Sequence, residues 1–393
     1  MSDLLDIVGA DLTVPVPGGD IRFAHLDYAA SAPAVRAAAD AVRDLLPYYG
    51  SVHRGAGLRS QRSTFEYERA RETVAEFVGA RDGDAVIFTR NTTDALNLLA
   101  RALPAGTTTI VFDGEHHANL LPWPSPVRLP APATPDEAVE AVRAALSSVR
   151  GPALLAVTGA SNVTGEIWPV RRLADIAHAH GARVLVDAAQ LAPHVPVDLD
   201  DLGADYLAFS GHKLYAPFGA GVLAGRGDWL DAAEPYLRGG GASASVGDAP
   251  GDVVWATGPA RHEGGTPNLV GAISLAAVCE ALLRADRVAL LEHEQSLLAA
   301  LGGGVSLFGG RAPRVGIVSF AVPDPAGVAD RLARDYGIGV RAGLFCAHPL
   351  VRRLGGAGTC DTGGLLRASW GLGSTHDDLD RLATALTELG VYP

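Results

Sequence analysis

The chain has 393 residues, 48% of them hydrophobic and 19% charged, with a formal net charge of −12. At roughly 100–200 residues per domain, this length predicts two or three domains, or one large domain with a smaller partner, able to fold without disulfides or structural metals. The acidic balance offers no basic surplus to neutralise phosphate, which argues against binding to nucleic acid or anionic membranes.

Taken in chain order, residues 1–15 lack a basic start followed by an apolar core, so no signal peptide is expected. No run of about 18 apolar residues predicts a membrane span. Residues 85–89 (AVIFT), 109–113 (TIVFD), 153–158, 183–187 and 206–209 read as buried strands. Helical spacing of apolar residues over 93–103, 135–149 and 170–180 places helices between them. Strands alternating with helices of this length predict βαβ units and a mostly parallel sheet. Residues 219–224 (GAGVLA) add a strand, read as antiparallel, and 238–251 is the most loop-like stretch of this part. From about residue 269 the rhythm changes: a long helix over 270–300, a strand at 314–322, a helix at 326–336, a glycine-rich loop at 352–364, a strand at 365–370 and a helix at 377–389. That pattern suits a smaller α+β unit.

Of 32 basic residues, one is lysine, Lys213. Arginine replaces lysine well on a surface but stays protonated, so the survivor marks a place where a neutral amine is required. Cys279, Cys346 and Cys360 form no CxxC pair, which argues against a disulfide framework or a cysteine metal site and fits a reducing cytoplasm.

In α/β sheets, ligands bind beyond the carboxyl ends of the strands. Lys213 follows the strand at 206–209 within Ser210-Gly211-His212-Lys213, and Asp187 ends another strand. Asn91-Thr92-Thr93 opens a helix, where free N–H groups favour phosphate, and Glu115-His116-His117 follows a fourth strand. An amine, an acid, an imidazole and a phosphate cradle on one rim form the set that pyridoxal phosphate needs: the amine for the aldehyde, the acid for the pyridine nitrogen, a flat side chain for the ring.

These motifs resemble the class V aminotransferase group of fold-type I pyridoxal phosphate enzymes, most closely its cysteine desulfurase/selenocysteine lyase branch. The resemblance rests on LDYAASAP (26–33), VHRG (52–55), NTTDALN (91–97), EHHANLLPW (115–123), SNVTGE (161–166), VDAAQ (186–190), SGHKLY (210–215), GGTPN (264–268), RAGLFCAHPL (341–350) and RAS (367–369). It implies a large domain over 25–268 with a mostly parallel, seven-stranded type of sheet flanked by helices. A smaller domain would be built from 1–24 and 269–393. By this resemblance Lys213 is the Schiff-base lysine, Asp187 the pyridine partner, His116 the stacked imidazole and Gln190 the partner of the ring hydroxyl. Thr93, Ser210 and His212 would hold the phosphate, with Thr92 adding an N–H. Thr266 would reach the phosphate of a neighbouring subunit in a homodimer, and Arg54 and His53 would lie near that crossing, His53 toward substrate. Asn162, also counted among the cofactor contacts, and Arg367 would bind the substrate carboxylate, and Arg341 would also bind substrate. Cys346 would accept sulfur from cysteine, leaving alanine and a persulfide for a sulfur-acceptor protein.

The chain departs from that pattern at Leu344-Phe345, where relatives often carry two histidines, and at 371–374 (GLGS). Three rival readings therefore stand beside a desulfurase that could also take selenocysteine. They are a C–S β-lyase of cysteine conjugates, an aminotransferase or epimerase of a secondary-metabolite pathway, and a non-catalytic cofactor-binding protein.

Overall fold

Valine-, leucine- and alanine-rich runs without polar alternation need cover on both faces, and here they form the inner strands of a seven-stranded sheet. The computed structural model describes residues 5–301, 304–355 and 363–391. The sheet consists of β1 (Asp84–Thr89), β2 (Thr108–Phe112), β3 (Val127–Leu129), β4 (Ala153–Thr158), β5 (Arg183–Asp187), β6 (Tyr206–Ser210) and β7 (Gly221–Arg226). Their order across it is β1-β7-β6-β5-β4-β2-β3. β2 to β6 are parallel, and β7 is antiparallel to both β6 and β1. Two reversals return β1 to the direction of β6, so the carboxyl ends of β1, β2, β4, β5 and β6 share one rim. The fold is the α/β arrangement expected from the sequence, including the antiparallel strand.

Among the described residues, the helices of eight residues or more are α1 (Arg36–Leu45), α2 (Leu58–Phe77), α3 (Thr92–Ala102), α4 (Pro135–Ser147), α5 (Val170–Ala179), α6 (Leu269–Arg284), α7 (Arg287–Ala300), α8 (Pro325–Tyr336), α9 (His348–Gly355) and α10 (His376–Glu388). Successive strand residues serve opposite faces. Leu155 and Val157 belong to a core shared with Val142 of α4 and Leu173 of α5, whereas Leu154 and Ala156 belong to one shared with Leu96 and Leu99 of α3. β8 (Ile317–Phe320), β9 (Arg341–Gly343) and β10 (Leu365–Ser369) form a second, antiparallel sheet in the order β8-β10-β9. Its core includes Leu366 and Trp370 with Ala24 and Leu26, and Ala24–His25 pairs in parallel with Ile338–Gly339.

Three sequence expectations need correction. The helix expected over 270–300 is two helices, because Ala285 is extended and Asp286 restarts the chain, its carboxylate accepting from Ala289 N–H at 3.0 Å. The loop expected over 238–251 contains a strand, Ser243–Val246, which pairs with Val253–Trp255. The loop expected from 352 begins as the end of α9; residues 356–362, including Cys360, lie outside the described residues.

Candidate active site

The shared rim encloses a cavity of about 360 Å³. Lys213, Asp187, His116, Gln190, Thr92, Thr93, Ser210, His212, Asn162, Arg341, Arg367 and Cys346 all line it. The large sheet supplies several of them at its strand ends. Asp187 is the last residue of β5, Ser210 the last of β6, and Lys213 follows it by three residues. Thr92 starts α3, whose N-cap Asn91 accepts from Asp94 N–H at 3.0 Å. The Ser210 hydroxyl accepts from Thr92 N–H at 2.7 Å and lies 2.6 Å from the Thr92 hydroxyl, joining the ends of β6 and α3. Gly221 allows β7 to pass against this corner: a Cβ there would lie 2.5 Å from Asn91 Cα.

Burial sets the ionisation of the centre. It lowers the Lys213 amine from 10.5 to about 8, against the opposing attraction of Asp187, so amine and ammonium both exist near neutral pH. Burial also lowers His116 to about 3, helped by the charge of Lys213, so its imidazole is neutral. His116 Nδ1 accepts from Ala118 N–H at 3.0 Å, which places the ring proton on Nε2. Burial raises the Asp187 carboxyl, opposed by the Ala189 N–H that donates to Oδ1 at 3.0 Å and by Lys213. Gln190, lining the cavity, donates Nε2 to Ala29 C=O at 2.7 Å.

At the opposite wall Arg367, on β10 and 2% exposed, donates to Asn162 C=O at 3.0 Å and to Asp27 Oδ1 at 3.1 Å. Among the described residues its buried Nε has no hydrogen-bond partner. Asp27 also holds Arg341 at 2.9 Å. Sequence reasoning missed Asp27 as a site residue; its signal was its place in the LDYAASAP motif. Phe345, read as a departure and, in the aminotransferase reading, as lining an apolar substrate pocket, lines the cavity; its carbonyl accepts from Asn162 Nδ2 at 2.8 Å and its ring lies 4.7 Å from the Arg367 guanidinium carbon. Phe345 and Cys346 have φ values of 50° and 53°, a left-handed turn that non-glycine residues rarely adopt. The Cys346 thiol is exposed, and its carbonyl accepts from His117 N–H at 2.7 Å.

Within one chain, Thr266 and His53 do not reach this cavity. With Arg54 they line a second one of about 630 Å³, where His53 Nε2 lies 2.6 Å from Glu68. Pyridoxal phosphate fits the first cavity on its own features: a helix start and hydroxyls for the phosphate, a buried carboxylate, a flat neutral imidazole and one amine.

The profile described as "Aminotransferase class-V" matches residues 24–382. The chain belongs to the class V aminotransferase family. A probable cysteine desulfurase of Halalkalibacterium halodurans is 37% identical over 94% of this chain and 93% of its own. A cysteine desulfurase of Klebsiella pneumoniae is 37% identical over 93% of each. Among solved structures, the apo cysteine desulfurase of Thermococcus onnurineus superposes with a TM-score of 0.83 at 32% identity, covering 93% of this chain and 94% of that one. The Escherichia coli cysteine desulfurase CsdA, solved in an S-sulfonic acid form, gives 0.79 at 34% identity, covering 94% and 96%. Enzymes of this family depend on pyridoxal phosphate.

Proposed function

We propose that this chain is a pyridoxal phosphate-dependent cysteine desulfurase that converts L-cysteine to L-alanine and receives the sulfur on Cys346. The observation that carries the reading is the exposed Cys346 thiol on the wall of the cavity that also holds Lys213, Asp187 and His116. When bound, the cofactor supplies an electron sink for the substrate Cα. Thr92, Thr93, Ser210, His212 and the start of α3 would hold its phosphate. With the cofactor bound, Asp187 would keep the pyridine nitrogen protonated, neutral His116 would cover the ring, and the Gln190 amide would bond the ring hydroxyl.

Arg367 and Asn162, both on the cavity wall, would orient the substrate carboxylate, and Asp27 offsets part of the charge of the two arginines beside it. Lys213 Nζ takes the proton from Cα and returns one, a shuttle suited to an amine with a pKa of about 8. Cys346 Sγ, as thiolate, attacks the substrate sulfur. The S–S bond forms as the substrate's carbon–sulfur bond breaks, and a proton delivered to Cβ leaves alanine. A sulfur-acceptor protein then takes the persulfide sulfur. An exposed thiol of this kind works where thiols stay reduced, which supports a cytoplasmic setting. The second cavity, with Thr266, His53 and Arg54, supports a homodimer in which these residues complete the neighbouring site.

Incubation with L-cysteine and a thiol reductant tests the reading. Alanine and sulfide in equal amounts are expected. Pyruvate and ammonia would instead mark a C–S lyase, and transamination without cysteine turnover would mark an aminotransferase.

A further inference from the structure

Glu115, between β2 and His116, is 1% exposed and takes no part in the steps above. Its Oε1 accepts from Thr158 N–H at the end of β4, and its Oε2 accepts from Asn119 Nδ2, each at 2.9 Å. No cation pairs with it among the described residues. Asn119 also donates its backbone N–H to His116 C=O at 2.8 Å, so one carboxyl clamps two strand ends and the turn that carries the imidazole.

We propose that Glu115 is a positioning residue acting as a neutral carboxylic acid, holding His116 in place without adding a second negative charge beside Asp187. A buried carboxylate without a cation is costly, and the cheaper state is the protonated one. The neighbours agree. Asn119 Oδ1 is buried without a donor among the described residues, and turning that amide would set it against Oε2, where only a protonated carboxyl could satisfy it. Burial pushes Glu115 up to about 8; the donors Asn119 and Thr158 oppose this, and Asp187, the charge acting on it among the described residues, adds to it. The proposal deepens the reading of this cavity as a cofactor site and rests on it.

The test compares thermal unfolding of the full-length wild type, E115Q and E115L from pH 5 to pH 9, with and without pyridoxal phosphate. A raised carboxyl pKa means that the folded state binds more protons than the unfolded one between 4.5 and about 8. Wild-type stability should therefore lose ground to E115Q by a few degrees over that interval, with the gap constant above it. E115Q should keep the wild-type absorbance maximum of bound cofactor, and E115L should shift it, having lost both hydrogen bonds. A gap that stays flat with pH, or an E115Q protein that loses the cofactor signature at pH 7, would overturn the proposal. The unfolding comparison does not depend on the reaction, so failure of the desulfurase reading would show only in the products.

Discussion

At the scale of single residues, Lys213 and Asp187 show how one cavity makes opposite demands on an amine and an acid. Burial lowers the first and raises the second, and their mutual attraction restrains both. Covalent capture of pyridoxal phosphate by the cofactor-free protein needs the neutral amine. Below a pKa of about 8 the ammonium form dominates, so the capture rate should rise about tenfold per pH unit and level off above that value. Stopped-flow absorbance measures it, and a rate still climbing through pH 10 would show an unperturbed lysine. Lys213 was legible in the sequence because it stands alone among arginines. Asp27 was not, since nothing local marks an aspartate that holds two arginines 314 and 340 positions away. The same holds for Phe345: its ring sits on Arg367 through a turn whose left-handed backbone no sequence rule assigns to Phe-Cys.

At the scale of elements, the strands of the central sheet were readable because burial on both faces leaves unbroken apolar runs, as in LLAV of β4 and VLV of β5. α2 was missed because arginine and glutamate run around it without a clear apolar stripe. β3, three residues on the sheet edge, is too short to signal itself. The corner between β7 and α3 carries a sharper consequence. At Gly221 an added methyl would meet the Asn91 backbone, which cannot turn away as a side chain can. Gly221→Ala should cost about 1–3 kcal/mol and loosen cofactor binding through the displaced start of α3. Denaturant unfolding and cofactor titration check both; wild-type values for the two would show that the phosphate cradle does not depend on this approach.

At the scale of the whole molecule, the chain sets its chemistry between two sheets. The large one presents Lys213, Asp187 and His116 at its rim, and the small one brings Arg367 and Arg341 to the facing wall. Buried carboxylates tie the parts together. Glu166 accepts from Leu307 and Phe308 N–H at 2.7 and 2.9 Å, and Glu294 lies 2.7 Å from His194 while accepting from Gly316 N–H at 2.7 Å. Such contacts join distant stretches of chain, which is why the rim of the large sheet could be read from local motifs and the facing wall only by resemblance. Cys346 and the neighbouring Phe345 line the same cavity. The most direct measurement is the mass of the Cys346-containing peptide after a single turnover with L-cysteine, without reductant. One added sulfur atom on Cys346, absent from Cys346→Ala and matched by one alanine per site, is expected. Alanine release without sulfur on Cys346, undiminished in Cys346→Ala, would contradict the account.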